Sequence, residues 1–155
     1  MEALFAALEA SAFAATMRSS LFLYPLANVV HILAALAFFA AVAAMDVKLL
    51  LAASFGGARA FIARVRPLAS IALLVQAGSS FLLFAPEATH IWHNPVFRVK
   101  LVLVAVALAN VLLLEALVRH RGDETARMGS ARGSAAASLG LWLAIAAAGR
   151  LIAYF

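Results

Sequence analysis

Residues 24–51 read YPLANVVHILAALAFFAAVAAMDVKLLL, and this stretch decides the fold. From Pro25 to Met45 it carries no charge, and its polar side chains are confined to Asn28 and His31. Some 20 apolar residues, each rising ~1.5 Å, match the ~30 Å hydrocarbon core of a bilayer, so the stretch predicts a membrane-crossing helix. Pro25 suits a first helical turn, where its missing N–H costs nothing. Asp46 and Lys48 read as a pair at the far surface.

Working outward, three further stretches are long enough to cross. A Gly56-Gly57 break, a basic run with Arg59, Arg64 and Arg66, and Pro67 lead to a second span over residues 68–86, ended by Pro86. A third runs over 95–118 from Pro95, a polar stretch follows from Arg119 to Gly133, and 134–155 forms a fourth. Residues 1–18 are apolar but carry Glu2 and Glu9, seven apart and so on one helical face. They predict an amphipathic helix lying in the interface. The fold class is therefore an all-α integral membrane four-helix bundle with an N-terminal interfacial helix, forming a single membrane domain over 1–155.

Composition agrees. Of 155 residues, 66% are hydrophobic and only 12% charged, where a soluble domain has roughly 45–50% and 25%. The net charge of +5 does not point to nucleic acid, because the basic residues lie in short segments between apolar runs. They orient the chain instead. Lys48, Arg59, Arg64 and Arg66 follow the first span, and Arg119, Arg121, Arg127 and Arg132 follow the third, with His120 in the same collar. By the positive-inside rule both loops are cytoplasmic. Both termini and the Glu87–Asn94 loop then face the periplasm of a bacterial inner membrane. Without cysteine there is no thiolate ligand or disulfide framework.

Polar residues within a span are costly and therefore informative. His31 lies ~9 Å inside Pro25, Lys100 ~8 Å inside Pro95 and Arg150 ~8 Å from the end of the fourth span. Gln76, Gly78 and Ser79 lie roughly 10–15 Å inward from Pro86. One layer in the outer half thus gathers polar or small residues from four helices. Asn28 shares a face with His31 and can orient it. Gly78 either makes room for a flat ligand or packs helices, and Lys100 and Arg150 either meet a ligand or snorkel to head groups. His90 and His93, three apart in the outer loop, have ligand spacing, while Trp92 between them also reads as an interfacial anchor. Asn110 fits an interhelical hydrogen bond and Glu115 a partner in the basic collar.

This layer supplies what b-type haem needs: an imidazole, an apolar slot and cations for propionates. His31 is one candidate axial ligand and His93 or His90 the other. Gly78 would give space, Arg98, Lys100 and Arg150 would meet the propionates, and Phe38, Phe81 and Phe84 would form walls. An electron-transfer role calls for a redox partner or quinone. Two alternatives stay open. In one, His31, His90 and His93 bind copper or zinc without a porphyrin, for metal binding or transport. In the other, the histidines are satisfied by hydrogen bonds in a structural or partner-binding subunit, and a homo-oligomer is compatible with either. No Ser-His-Asp or paired-carboxylate arrangement assigns an enzymatic reaction.

The segment YPLANVVHIL at 24–33, followed by DVKLL at 46–50, resembles bacterial small membrane proteins of unknown function whose first span reads YPxxxxxHILG and ends DLRLLG. NPVFRVKL at 94–101, with Asn110, is similar to their NPxFRxKL segment. Ala34, Val47 and Lys48 depart from that pattern. More distantly, His31, Phe97 and Lys100 are similar to residues of the copper-resistance D proteins and of the HemJ-type haem-dependent protoporphyrinogen oxidases. That resemblance implies a link to haem or copper and carries no activity across.

Overall fold

The computed structural model describes residues 2–119 and 124–154, and every long element among them is helical. His120 and Arg121 of the expected collar lie outside the described residues. Two short helices, α1 (Glu2–Glu9) and α2 (Ala12–Ser19), precede α3 (Leu23–Leu51) and α4 (Phe55–Phe84). A 3-10 turn (Ala85–Glu87) and α5 (Ala88–His93) lead to α6 (Pro95–Arg119), then α7 (Glu124–Leu151) and a final 3-10 turn (Ile152–Tyr154). Four helical segments are long and apolar enough to cross a membrane, as the sequence predicts. The chain is thus an all-α, multi-pass membrane bundle. One end carries α1, α2 and α5, and the other is basic.

Three helix pairs carry most of the packing. α4 lies along α3, α3 along α7, and α7 along α6. Small residues permit these approaches, since close backbone packing and interhelical hydrogen bonds replace the hydrophobic drive that lipid removes. On α7, Ala131, Ser134, Ala135, Ser138, Trp142, Ile145 and Ala148 are all buried at three- and four-residue spacing. One core cluster joins Phe38, Ala41 and Val42 to Ala69, Ala72, Ala107, Trp142 and Ile145. A second, nearer the basic end, joins Leu49, Ala52 and Phe55 to Ala58, Ile62, Ala131 and Ala135. Large side chains such as Leu36, Leu74, Val102, Leu112 and Leu143 are exposed and face the lipid such a bundle requires.

Three helices extend or divide differently from the expected segments. The helix that holds the second expected span begins before Leu68. α4 begins at Phe55, capped by Ser54, whose hydroxyl accepts from Gly57 N–H at 3.4 Å, and passes through Pro67. Phe55, Ala58 and Ile62 recur on one face and bury against Leu49, Ala131 and Ala135, so packing outweighs the weak helix tendency of Gly56-Gly57. Likewise α7 starts at Glu124 rather than at 134, because Ala131 extends its buried stripe while Gly129 and Gly133 point away from other atoms. The expected interfacial helix over 1–18 is a helical hairpin, broken at Ser11, which caps α2 by accepting from Ala14 N–H. Its acidic residues do not face water alone. Glu9 accepts from Thr89 N–H at 3.1 Å and Glu2 lies 3.5 Å from His93 Nε2. Phe5 packs at 4.8 Å from Trp92, and Arg18 donates to the Pro86 and Glu9 carbonyls, so the hairpin docks on α5.

Candidate functional site

His31 projects from α3 onto one stretch of α4, where Gln76, Ser79 and Ser80 occupy successive positions of a turn. Ser79 Oγ donates to the Val75 carbonyl at 2.8 Å and Ser80 Oγ to that of Gln76 at 2.7 Å. Their oxygens are then left to accept. Nδ1 of His31 stands 3.1 Å from Ser79 Oγ and 3.4 Å from Ser80 Oγ, while Nε2 stands 2.9 Å from Gln76 Nε2. The network is satisfied by one tautomer, in which Nδ1–H donates to Ser79 and the Nε2 lone pair accepts from the Gln76 amide. The other end of that amide, Oε1, is buried without a partner.

Lys100 approaches the same layer from α6. A side chain at Gly149 of α7 would meet it, with Nζ only 3.3 Å from where a Cβ would sit, so Gly149 supplies the space the ammonium occupies. Its charge lies within electrostatic reach of His31. Neither a hydrogen bond nor an ion pair is formed by Lys100 among the described residues.

The rest of the expected layer is dispersed. Asn28 is exposed and does not bond His31. Gly78 is exposed with open space beyond its Cα, so it faces away from the packed helices and lines no slot. Arg98 is exposed, and Arg150 bonds Tyr154 Oη at 2.8 Å. His93 donates its Nδ1–H to the Thr89 carbonyl at 2.8 Å and faces Glu2, while His90 is exposed, so neither joins the His31 network. Phe38 packs edge-on against Trp142, Phe81 stacks on Phe13, and Phe84 stacks on Phe97, which spreads the expected walls over three places. No group of three or more His, Asp or Glu residues suited to a metal forms among the described residues.

As a haem ligand, His31 fits in its donor chemistry: an imidazole whose Nδ1–H is anchored on a side-chain oxygen presents Nε2 in the orientation iron ligation uses. Gln76 covers that nitrogen, and its rotatable amide must turn to release it. The His31 layer therefore offers one imidazole and the Lys100 ammonium to such a group.

Other polar residues pair across the bundle. Asn110 donates to the Ser134 carbonyl and accepts from the Ser134 hydroxyl, both at 3.0 Å, which is the interhelical role its position suggests. Glu115 meets Arg66 at 2.7 Å, a partner from the basic end. Arg132 closes α3 by donating to the Ala52 carbonyl at 2.8 Å. Asp46 differs from expectation. It is 4% exposed, its Oδ2 is buried without a partner, and it is not paired with exposed Lys48. Residues two apart on a helix do not face each other, and that spacing was the signal that separates them.

No family model, curated protein or solved structure matches the chain, so its functional reading rests on these residues.

Proposed function

We propose that the protein is a bacterial inner-membrane haem b protein, ligated through His31 and acting in electron transfer. The observation that carries this reading is the pair of contacts at His31, Ser79 Oγ 3.1 Å from Nδ1 and the Gln76 amide nitrogen 2.9 Å from Nε2, which assigns the proton to Nδ1 and leaves the Nε2 lone pair facing a side chain that can turn aside. Bound haem would supply one-electron chemistry at iron. Lys100, without a partner of its own, would neutralise an acidic group of the ligand, and Ser79 would fix the imidazole. Electrons would be exchanged with a redox partner or a quinone. The basic residues Lys48, Arg59, Arg64 and Arg66 support an orientation with the basic end cytoplasmic and α1, α2 and α5 periplasmic.

A second reading is favoured by Gln76 itself. Its amide already satisfies Nε2, which is what a structural histidine in a partner-binding subunit would need. A haem-free copper or zinc site has less support, because His90 and His93 stand outside the His31 network.

Protein purified from haem-replete cells decides between them. The haem reading expects a Soret band that shifts on dithionite reduction, is lost in His31→Ala and persists in Gln76→Ala. A colourless preparation, or a spectrum retained in His31→Ala, overturns it. The absence of cysteine makes orientation directly testable: single cysteines at Glu87 and at Ser54 should react with an impermeant maleimide from opposite sides of the membrane, Glu87 from the periplasm.

A further inference from the structure

We propose that α1 is a hinged flap on the end of the bundle, and that its lifting opens the way from the aqueous surface to the layer of His31, Gln76 and Ser80. The flap governs access to that layer whether or not haem is what enters it.

An aromatic column lies between α1 and the layer. On α4, Phe84 stands one turn beyond Ser80, and on α6, Phe97 stands one turn before Lys100. Their rings stack at 5.6 Å and close the space between α4 and α6 one turn above the layer. Phe5 of α1 sits edge-on against Phe84 at 5.8 Å and packs on Trp92 of α5 at 4.8 Å. Beside it, Phe13 of α2 stacks on Phe81 at 6.1 Å. Phe5 is thus the outermost ring of the column, and the first to leave when α1 lifts.

The two helices of the hairpin are held very differently. α2 is anchored, with Ala14 fully buried and Met17 4% exposed. α1 buries no residue, and Leu4 is 69% exposed. Apart from the Phe5 ring, the attachments of α1 are polar and lie at its two ends. Glu9 Oε2 accepts from Thr89 N–H at 3.1 Å, and Glu2 lies 3.5 Å from His93 Nε2, with both of those side chains exposed. Arg18 bridges the fixed part and the flap, donating to the Pro86 carbonyl at 2.8 Å and to the Glu9 carbonyl at 3.0 Å. Exposed pairs of this kind exchange for water at little cost. Ser11, extended at φ −65° and ψ 153°, separates the helices and caps α2 through its side chain. Rotation at Ser11 therefore moves α1 while α2 stays in place. Once lifted, α1 keeps its apolar face, with Leu4, Phe5 and Leu8, against the membrane interface. A segment with no buried residue and few polar ties opens ahead of the rest of the fold.

The chain has no cysteine, so a single Ser80→Cys thiol reports access to the layer. The full chain is placed in liposomes with a charged methanethiosulfonate on both sides, a reagent that cannot reach residue 80 through hydrocarbon. The expected result is slow modification with α1 intact. Adding Phe5→Ala and Glu9→Ala should raise the rate roughly fivefold or more, the shift that loss of one hydrogen bond allows. A Ser138→Cys thiol, at a position 4% exposed in the middle of α7, should stay unreactive in the same background. An unchanged rate at residue 80 overturns the proposal. So does a rise at both positions together, which is general loosening of the bundle. The assay reads thiol modification in protein without haem, so its outcome is separate from that of the Soret measurement.

Discussion

At the scale of single residues, the two polar centres of the bundle differ in how much of them the sequence discloses. His31 stands out as a short polar side chain in a long apolar run, which hydrocarbon penalises unless it is paired. Its partners were nameable too, since Gln76 and Ser79 fall at matching depth on the next span. Asp46 was hidden by proximity to Lys48, and its burial depends on packing between helices far apart in the chain. The His31 network makes a direct prediction. In the haem-free protein, Gln76→Ala leaves Nε2 unpaired and should cost about 1–3 kcal/mol, read as reduced unfolding stability in detergent. Equal stability of Gln76→Ala and the parent chain would show that the bond contributes nothing.

Elements were legible as spans and less so at their ends. Gly56-Gly57 and Pro67 are ordinary stop signals, yet α4 runs through them because Phe55, Ala58 and Ile62 have a cluster to join. Local tendency yields where burial is at stake. The opposite holds for the α6–α7 pair, where the reciprocal Asn110–Ser134 bonds add specificity to an already long seam. Asn110→Leu should therefore lose only about 0.6 kcal/mol, and no more than about 1.7, in a steric-trap or detergent unfolding assay. The α1–α2 hairpin has a pH dependence of defined sign. Hydrogen bonds from Thr89 hold the Glu9 carboxyl below its ordinary value of 4.5. A depressed carboxyl stabilises docking above that ordinary value and loses the contribution as pH falls through the lower, docked one. Trp92, packed on Phe5, should accordingly change its fluorescence on acidification in a Trp142→Phe background, and Glu9→Gln should remove the transition.

The whole molecule closes unevenly: α4 and α6 meet through side chains, Arg66 with Glu115 and Phe84 with Phe97, and composition could not reveal that. α6 has only 6% of its apolar stretch buried, against 28% in α3. Most of its surface is left to lipid, and its hold on the bundle is concentrated on α7 and on residues such as Ala107, 1% exposed. Enlarging that one position should matter more than altering many lipid-facing ones. Ala107→Leu should cost about 1–3 kcal/mol through overpacking, whereas Val102→Leu should be silent in the same unfolding assay. The sequence predicts four crossings because hydropathy reports each helix by itself. It does not predict their order in space, which depends on which small residues oppose one another.

That order also sets a sequence of events during synthesis. α3 and α4 are neighbours in the chain and can pair as soon as both have entered the bilayer, which gives His31 its partners at once. The α3–α7 seam has no such opportunity, because α7 is translated only after α6 has been made. α3 therefore spends the intermediate stage of biogenesis without its second neighbour, and the arrival of α7 ends that stage. A nascent chain halted after α6 would leave the α7-facing side of α3 uncovered, and only a fully inserted one completes the seam.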